Sequence, residues 1–96
     1  MDKWYRPSGI AFELCEEAVY VLDLRDLQGD LRPRALQGPA AAIWLTLGTV
    51  DSPCPELDLV KSVAEEYGME LHEIEGPALD FLRDLESAGL AERMHA

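Results

Sequence analysis

Hydrophobic and polar positions alternate along the N-terminal third of the chain, which is the pattern of β-strands. Ile10, Phe12 and Leu14 share one parity in a first run, and Val19 and Val21 continue the alternation in a second. Because successive side chains of a strand point to opposite faces, each run predicts a strand. Together the two runs predict an antiparallel hairpin.

A third, short strand is predicted after this hairpin. Glu16 and Glu17 form the turn inside the hairpin, and residues 26–30, with their Gln-Gly-Asp sequence, form the turn that follows it. Residues 31–36 can then run extended. Pro33 has no N–H to donate, so this third strand is expected at a sheet edge, or short and irregular.

After Gln37 the apolar positions recur at helical spacing. Pro39 and Gly48 bound a first predicted helix, and Pro55 and Gly68 bound a second. Proline suits the first turn of a helix, where its missing N–H would have no partner, and glycine suits the left-handed residue that ends one.

A third helix is predicted to end at the Ala-Gly-Leu sequence 88–90. Its apolar positions are Ile74, Ala78, Phe81, Leu82 and Leu85. Since proline inside a helix removes a backbone hydrogen bond, Pro77 is expected in the first turn.

The pattern predicts an α+β fold and a single domain over residues 1–96. A three-stranded antiparallel sheet, with strands at about 10–36, is followed by a winged-helix-like bundle of three helices at about 39–88. A chain of roughly 100 residues supports one hydrophobic core.

Charge disfavours two classes of partner. The chain has 19 acidic and 8 basic residues and a net charge of −11, so phosphate backbones and anionic membranes repel it. Residues 1–36 carry a net −2, and residues 37–96 carry the remaining −9. The predicted sheet is therefore nearly balanced, and the predicted helices are acidic.

The N-terminus and the cysteines favour a cytoplasmic protein. The first residues lack the basic and apolar regions of a secretory signal, and the longest apolar stretch, residues 40–45, is too short to cross a bilayer. Cys15 and Cys54 have no metal-binding spacing and are expected to be free thiols.

No motif for catalysis, for a cofactor or for a metal stands out. His72 and His95 are the only histidines, and both are expected at the surface. No glycine-rich phosphate loop occurs, and the acidic pairs at 16–17 and 65–66 are interpreted as solvated. The expected activity is binding, without an enzyme reaction.

Arg32 and Arg34 are the residues that suggest what is bound. They lie two positions apart on the third predicted strand and so share a face. An edge strand with arginines on one side can accept an extended peptide that adds a strand and offers carboxylates. The alternative is that Pro33 and these charges protect the edge from aggregation.

The chain resembles the PqqD-like family, which comprises the peptide chaperones of pyrroloquinoline quinone biosynthesis and the related recognition elements for ribosomally made precursor peptides, including stand-alone ones of lasso peptide pathways. The resemblance is carried by the strand order, by the segment Leu-Gln-Gly-Pro-Ala-Ala-Ala-Ile-Trp at 36–44, and by Phe-Leu…Leu…Gly-Leu at 81–90. It extends over about residues 10–92, with Gln37 where the family usually has asparagine.

This resemblance implies a non-catalytic protein that captures the leader segment of a precursor peptide. The leader would pair with the third strand and enter a groove walled by exposed parts of the third helix. The implied strand residues are Leu31, Arg32, Arg34, Ala35 and Leu36. The implied helix residues are Ala78, Leu82, Arg83 and Glu86. Trp44, Phe81 and Leu85 lie at buried helical spacing and are expected in the core.

The implied partners are the precursor peptide and a modifying enzyme, such as a leader peptidase, a cyclase or a radical enzyme. A second copy of the chain could also pair with the strand edge. Two other functions stay open: a winged-helix DNA-binding protein, which the acidic third helix disfavours, and an adaptor that binds a folded protein through its acidic helical face.

Overall fold

The computed structural model describes residues 2–25 and 33–95. Its elements, in chain order, are β1 (Asp2–Tyr5), β2 (Ile10–Cys15), β3 (Ala18–Asp23), β4 (Arg34–Gln37), α1 (Pro39–Thr46), β5 (Cys54–Pro55), α2 (Glu56–Glu66), α3 (Leu71–Ser87) and β6 (Glu92–His95). The fold is α+β, as the sequence predicts, with three helices and two three-stranded antiparallel sheets in the described residues. The winged-helix-like arrangement remains a prediction.

The hairpin sheet, which is formed by β2, β3 and β4, contains the predicted hairpin and a third strand. Its order is β2-β3-β4. Pro33, which the sequence predicts inside the third strand, precedes β4, and Gln37 is the last residue of β4. Leu14 lies opposite Val19, and Val19 in turn lies opposite Leu36. Because directly opposed residues project from one face, this register places the apolar parity of all three strands on the side of the core. The positive φ of 57° at Glu16 closes the hairpin at the predicted turn.

A second sheet, the terminal sheet, is formed by β5, β1 and β6 in that order. The hydrophobic pattern of the sequence does not predict it. Lys3 of the central strand lies opposite Pro55 on one side and Met94 on the other. The strands therefore do not all precede the helices, since β5 lies between α1 and α2 and β6 follows α3.

Gly48 joins the terminal sheet to the end of α1. Its N–H donates to the carbonyl of Trp4 at 3.2 Å, and its carbonyl accepts from the N–H of Arg6 at 2.9 Å. A Cβ at this position would lie 2.2 Å from the Ser52 carbonyl oxygen. Only glycine allows this approach.

The core lies between the two sheets and the helices. Helix α1 is almost entirely apolar, which is typical of a central helix, and Ile43 and Trp44 are buried. One stripe of α2 and one stripe of α3 complete the cluster. The stripe of α2 comprises Leu59, Val60, Val63 and Ala64; that of α3 comprises Ile74, Ala78, Leu82 and Leu85.

Several predicted helix bounds differ from the observed ones. The first helix ends at Thr46 rather than at Gly48, and the second ends at Glu66 rather than at Gly68. The expectation that Pro77 lies in the first turn of the third helix is wrong, because α3 begins at Leu71 and contains Pro77 in its interior. The burial of Ile74 and Ala78 on either side of the proline holds the helix in place, so tertiary packing outweighs the lost hydrogen bond.

Candidate peptide-binding site

Strand β4 forms one edge of the hairpin sheet. Within the described residues it pairs with β3 alone. Arg34, Ala35 and Gln37 are exposed, and Leu36 is buried. In a strand, every second residue directs its N–H and C=O to the same side. This short strand can therefore offer backbone groups to a further strand.

Arg34 projects from the core side of the hairpin sheet. It lies opposite Val21, which is buried, and it has the same parity as Leu36. Arg34 itself remains exposed because it is the first residue of the strand, at the rim of the core. A peptide added beyond β4 would thus find a cation at one end of the strand, on the side where the helices pack.

The expectation that Ala78 and Leu82 are exposed is wrong. Their exposed fractions are 1% and 0%, and both belong to the core cluster. Together with Ile74 and Leu85 they recur at spacings of three and four residues, which is the stripe of α3 that faces the core. They therefore lie beneath the surface of α3 and form no part of an exposed wall.

The charged residues assigned to α3 are accessible, but both have partners. Arg83 is exposed and lies 3.5 Å from the carboxylate of Asp80. Glu86 accepts a hydrogen bond of 3.2 Å from Arg93 of β6, and Arg93 also approaches Asp2 of β1 at 3.6 Å. Glu86 thus links α3 to the terminal sheet through an ion pair with Arg93.

Of the three residues expected in the core, Trp44 and Leu85 are fully buried, which confirms the prediction for them. Phe81 is only half-buried and packs against the edge of the core cluster. Phe81 is consequently one of the apolar side chains of α3, with Leu71 and Leu79, that reach both the core and the surface. Leu31 and Arg32, the other two strand residues assigned to the site, lie outside the described residues.

A contact that the sequence did not reveal joins the hairpin sheet to α3. The guanidinium of Arg25, just beyond β3, donates hydrogen bonds to the carboxylate of Asp23 at 2.9 and 3.0 Å. It also donates to the carbonyl oxygen of Gly89, in the turn after α3. The end of β3 that pairs with Arg34 is therefore held against the C-terminal end of α3.

A second basic side chain, also missed by the sequence analysis, lies on the core side of the hairpin sheet. Arg6 donates to the carbonyl of Trp44 at 3.1 Å, and its guanidinium carbon lies 4.8 Å from the centre of the Phe12 ring. Burial lowers the pKa of Arg6. The aromatic rings partly replace its lost solvation through cation–π attraction.

The described residues contain no cluster of His, Cys, Asp and Glu that could hold a metal ion. No helix in that part of the chain has the length and apolar character needed to cross a membrane. On α3, Arg83 is outnumbered by carboxylates at 73, 75, 80, 84 and 86. A helix of this charge is repelled by phosphate groups.

Residues 29–91 match the family model of PqqD, coenzyme PQQ synthesis protein D. The match covers well over half of the chain, so the chain belongs to the PqqD family, as the resemblance in its sequence indicates. Members of this family are non-catalytic accessory proteins of precursor-peptide biosynthesis. A search of the curated proteins and a search of the solved structures return no match.

Proposed function

We propose that this chain binds the leader segment of a ribosomally made precursor peptide by strand addition at β4. The leader pairs with the outer backbone groups of Arg34–Gln37, and its alternate side chains face α3. Main-chain hydrogen bonds supply affinity that tolerates sequence variation, and side-chain contacts select particular leaders.

The observation that carries this proposal is the position of the family match. The hairpin sheet has two edges, β2 and β4. Residues 29–91 include β4 and all three helices but not β2. The sequence shared with the peptide-binding family therefore contains β4 and α3, the two elements that would flank a leader.

Electrostatics supports a leader with acidic residues. Arg34 lies on the core side of β4, where a carboxylate of an added strand would meet it. On α3, the half-buried Phe81 offers apolar contact, and Arg83 offers a second cation. Ala78 and Leu82 support this surface from beneath rather than by contact, and Glu86 positions α3 through Arg93.

The chain would then deliver the leader to a modifying enzyme, such as a leader peptidase, a cyclase or a radical enzyme. A protein that holds the leader and the enzyme together raises the effective concentration of the substrate at the enzyme. No catalytic group is required for this role. The acidic helices leave a second surface for the enzyme, separate from β4.

Hydrogen exchange of the full chain, with and without a leader peptide, tests the proposal. The probe is the N-terminal part of a short peptide whose gene lies next to the gene of this chain. We expect new protection at residues 34–37 and none at residues 10–15 of the other edge. Protection confined to β2, or no protection under conditions where calorimetry detects binding, would contradict strand addition at β4.

The contribution of Arg34 to leader binding is tested separately. Arg34→Glu should weaken leader binding about tenfold, since it replaces an attraction by a repulsion, and the far-ultraviolet circular dichroism should not change. Lys61→Glu, an equal change of charge on the exposed face of α2, should leave the affinity unchanged. If both variants lose the same amount of affinity for the leader, the effect comes from net charge, and Arg34 has no specific role.

A further inference from the structure

An apolar groove lies between the end of β2, helix α1 and the end of α2, and Gly38, which follows β4, lies at its border. Its volume is about 430 Å³. Leu14, Leu45 and Tyr67 line it, and their exposed fractions are 59%, 42% and 42%. Large apolar side chains that are exposed together, rather than singly, mark an interaction surface.

Leu45 is exposed although it directly follows the buried part of its helix. Its four predecessors along α1, residues 41–44, all lie in the core. Leu14 is likewise the most exposed large apolar side chain of the hairpin sheet, on the same parity as Phe12. Leu14 projects from the core side of its sheet but does not belong to the core cluster, and it lines one groove together with Leu45.

Carboxylates form the rim of this groove. Glu17 and Glu66 line it, and each is next in sequence to another glutamate, at 16 and 65. Among the described residues that line the groove, none is basic. The site therefore combines apolar anchoring positions with a purely negative border.

We propose that this groove docks a segment of a partner protein that carries an apolar anchor, such as leucine, flanked by Lys or Arg. The anchor would contact Leu14, Leu45 and Tyr67, and the flanking cations would meet Glu17 and Glu66. Charge complementarity of this kind steers association and excludes partners of the wrong sign.

A second copy of this chain is a poor occupant of the groove. Each copy carries a net charge of −11, and pairing two grooves would bring the four rim carboxylates together. Repulsion between like charges opposes such an interface. An acidic leader is disfavoured for the same reason, which separates this surface from the one proposed at β4.

We identify this partner with the modifying enzyme of the proposed function, and this identification rests on that function. The leader would then be held on β4 at one edge of the hairpin sheet and the enzyme at the groove beside β2. A separate peptide, an acidic leader or a basic peptide, measures binding at each of the two sites.

The test is a titration of the isotopically labelled full chain with a short synthetic peptide of leucine and lysine, followed by NMR. We expect shifts at Leu45, Glu66 and Tyr67, and none with the same peptide in which glutamate replaces each lysine. Shifts spread evenly over the acidic helices, or equal binding of the acidic peptide, would overturn the proposal.

Two matched pairs of variants separate the groove from net charge. Leu45→Lys should weaken the basic peptide about tenfold, because it removes an apolar contact and adds a repulsion. Leu57→Lys, at 40% exposure on α2 outside the groove, makes the same change of charge and should have at most a small effect. Glu66→Gln should weaken binding about twofold to threefold, and Glu70→Gln should not.

The outcomes distinguish the two proposals. If Leu45→Lys and Leu57→Lys weaken the peptide equally, the groove is not a docking site, whatever happens to the leader. If sedimentation shows a dimer that Leu45→Lys dissociates, the occupant is a second copy and the inference is wrong. We expect the Leu45→Lys variant to bind the leader with unchanged affinity. If the unmodified chain does not bind the leader, strand addition at β4 is contradicted, but docking at the groove is not.

Discussion

Arg25 donates a hydrogen bond to the carbonyl oxygen of Gly89, 64 positions further along the chain. This contact joins the segment just after β3 to the turn after α3. A guanidinium beside the last carbonyls of a helix is also favoured by the helix dipole. Arg25 therefore holds α3 to the hairpin sheet at the end of β3, the strand on which β4 pairs.

Arg25→Gln should lower the free energy of unfolding by about 1 kcal/mol, because it removes charge-assisted hydrogen bonds from a side chain that is partly exposed. Urea denaturation measures this loss. Arg83→Gln is the matched control, since its exposed pair with Asp80, at 3.5 Å, should contribute little. If the two variants lose the same free energy of unfolding, the hydrogen bond to Gly89 contributes no more than an exposed surface charge does.

The carboxyl group of Asp23 should titrate below its ordinary range. Hydrogen bonds from the Arg25 side chain, and then from its backbone N–H, lower the pKa of Asp23. A folded-state pKa below the unfolded one stabilises the protein fully above the unfolded pKa. That stability is lost as the pH falls through the folded pKa.

An NMR titration of the side-chain carbonyl of Asp23 checks this prediction. In Arg25→Gln the pKa of Asp23 should rise towards its ordinary value, although the backbone hydrogen bond remains. Arg83→Gln should not move it. An unchanged Asp23 titration in Arg25→Gln would mean that the ion pair is not formed in solution.

The two tryptophans should respond differently to the loss of their indole nitrogen. Trp4 and Trp44 are both buried, but only Trp4 has a hydrogen-bond partner for Nε1 among the described residues, the carboxylate of Glu56 at 3.0 Å. Phenylalanine removes similar volume at both sites. Trp4→Phe also leaves the Glu56 oxygen without its donor.

Trp4→Phe should therefore destabilise the protein by about 1.5 kcal/mol more than Trp44→Phe. This is the lower end of the usual net value of a hydrogen bond to a charged group, and it applies because the bond is only partly buried. Thermal or urea unfolding of both variants measures the difference. A larger loss in Trp44→Phe would show that packing against Phe12, at 5.7 Å between ring centres, outweighs the hydrogen bond.

The elements that the sequence predicts well are those with a sustained period. The hairpin and the three helices are confirmed because apolar residues repeat along each of them. The terminal sheet was missed because β1 and β6 have only four residues each and β5 only two. Such short strands carry no period, and their pairing depends on contacts between the two ends of the chain.

The candidate peptide-binding site also contains features that the sequence predicts and features that it does not. The edge position of β4 follows from Pro33 and from its place after the hairpin. The core stripe of α3 can be recognised in the sequence, because Ile74, Ala78, Leu82 and Leu85 recur at spacings of four, four and three residues. The assignment of Ala78 and Leu82 to an exposed wall came from the resemblance to the family and conflicts with this period. The tie between Arg25 and Gly89 has no signal in the sequence, since a backbone carbonyl can accept from any arginine that the fold brings near.

The two thiols should react at different rates. Cys15 is exposed at the end of β2, whereas Cys54 is partly covered in β5. Burial, and then the nearby carboxylate of Asp58, raise the pKa of Cys54. Since the thiolate is the reactive species, a raised pKa lowers its concentration at any pH below that pKa.

Iodoacetamide at mildly alkaline pH should therefore modify Cys15 first, and peptide mapping by mass spectrometry follows the two sites separately. Asp58→Asn should speed the reaction of Cys54, because it removes the charge that opposes the thiolate, and should not affect Cys15. In urea the two rates should converge, because unfolding removes both the burial and the carboxylate. Faster modification of Cys54 in the folded protein would contradict the position of β5 against β1, which covers this thiol.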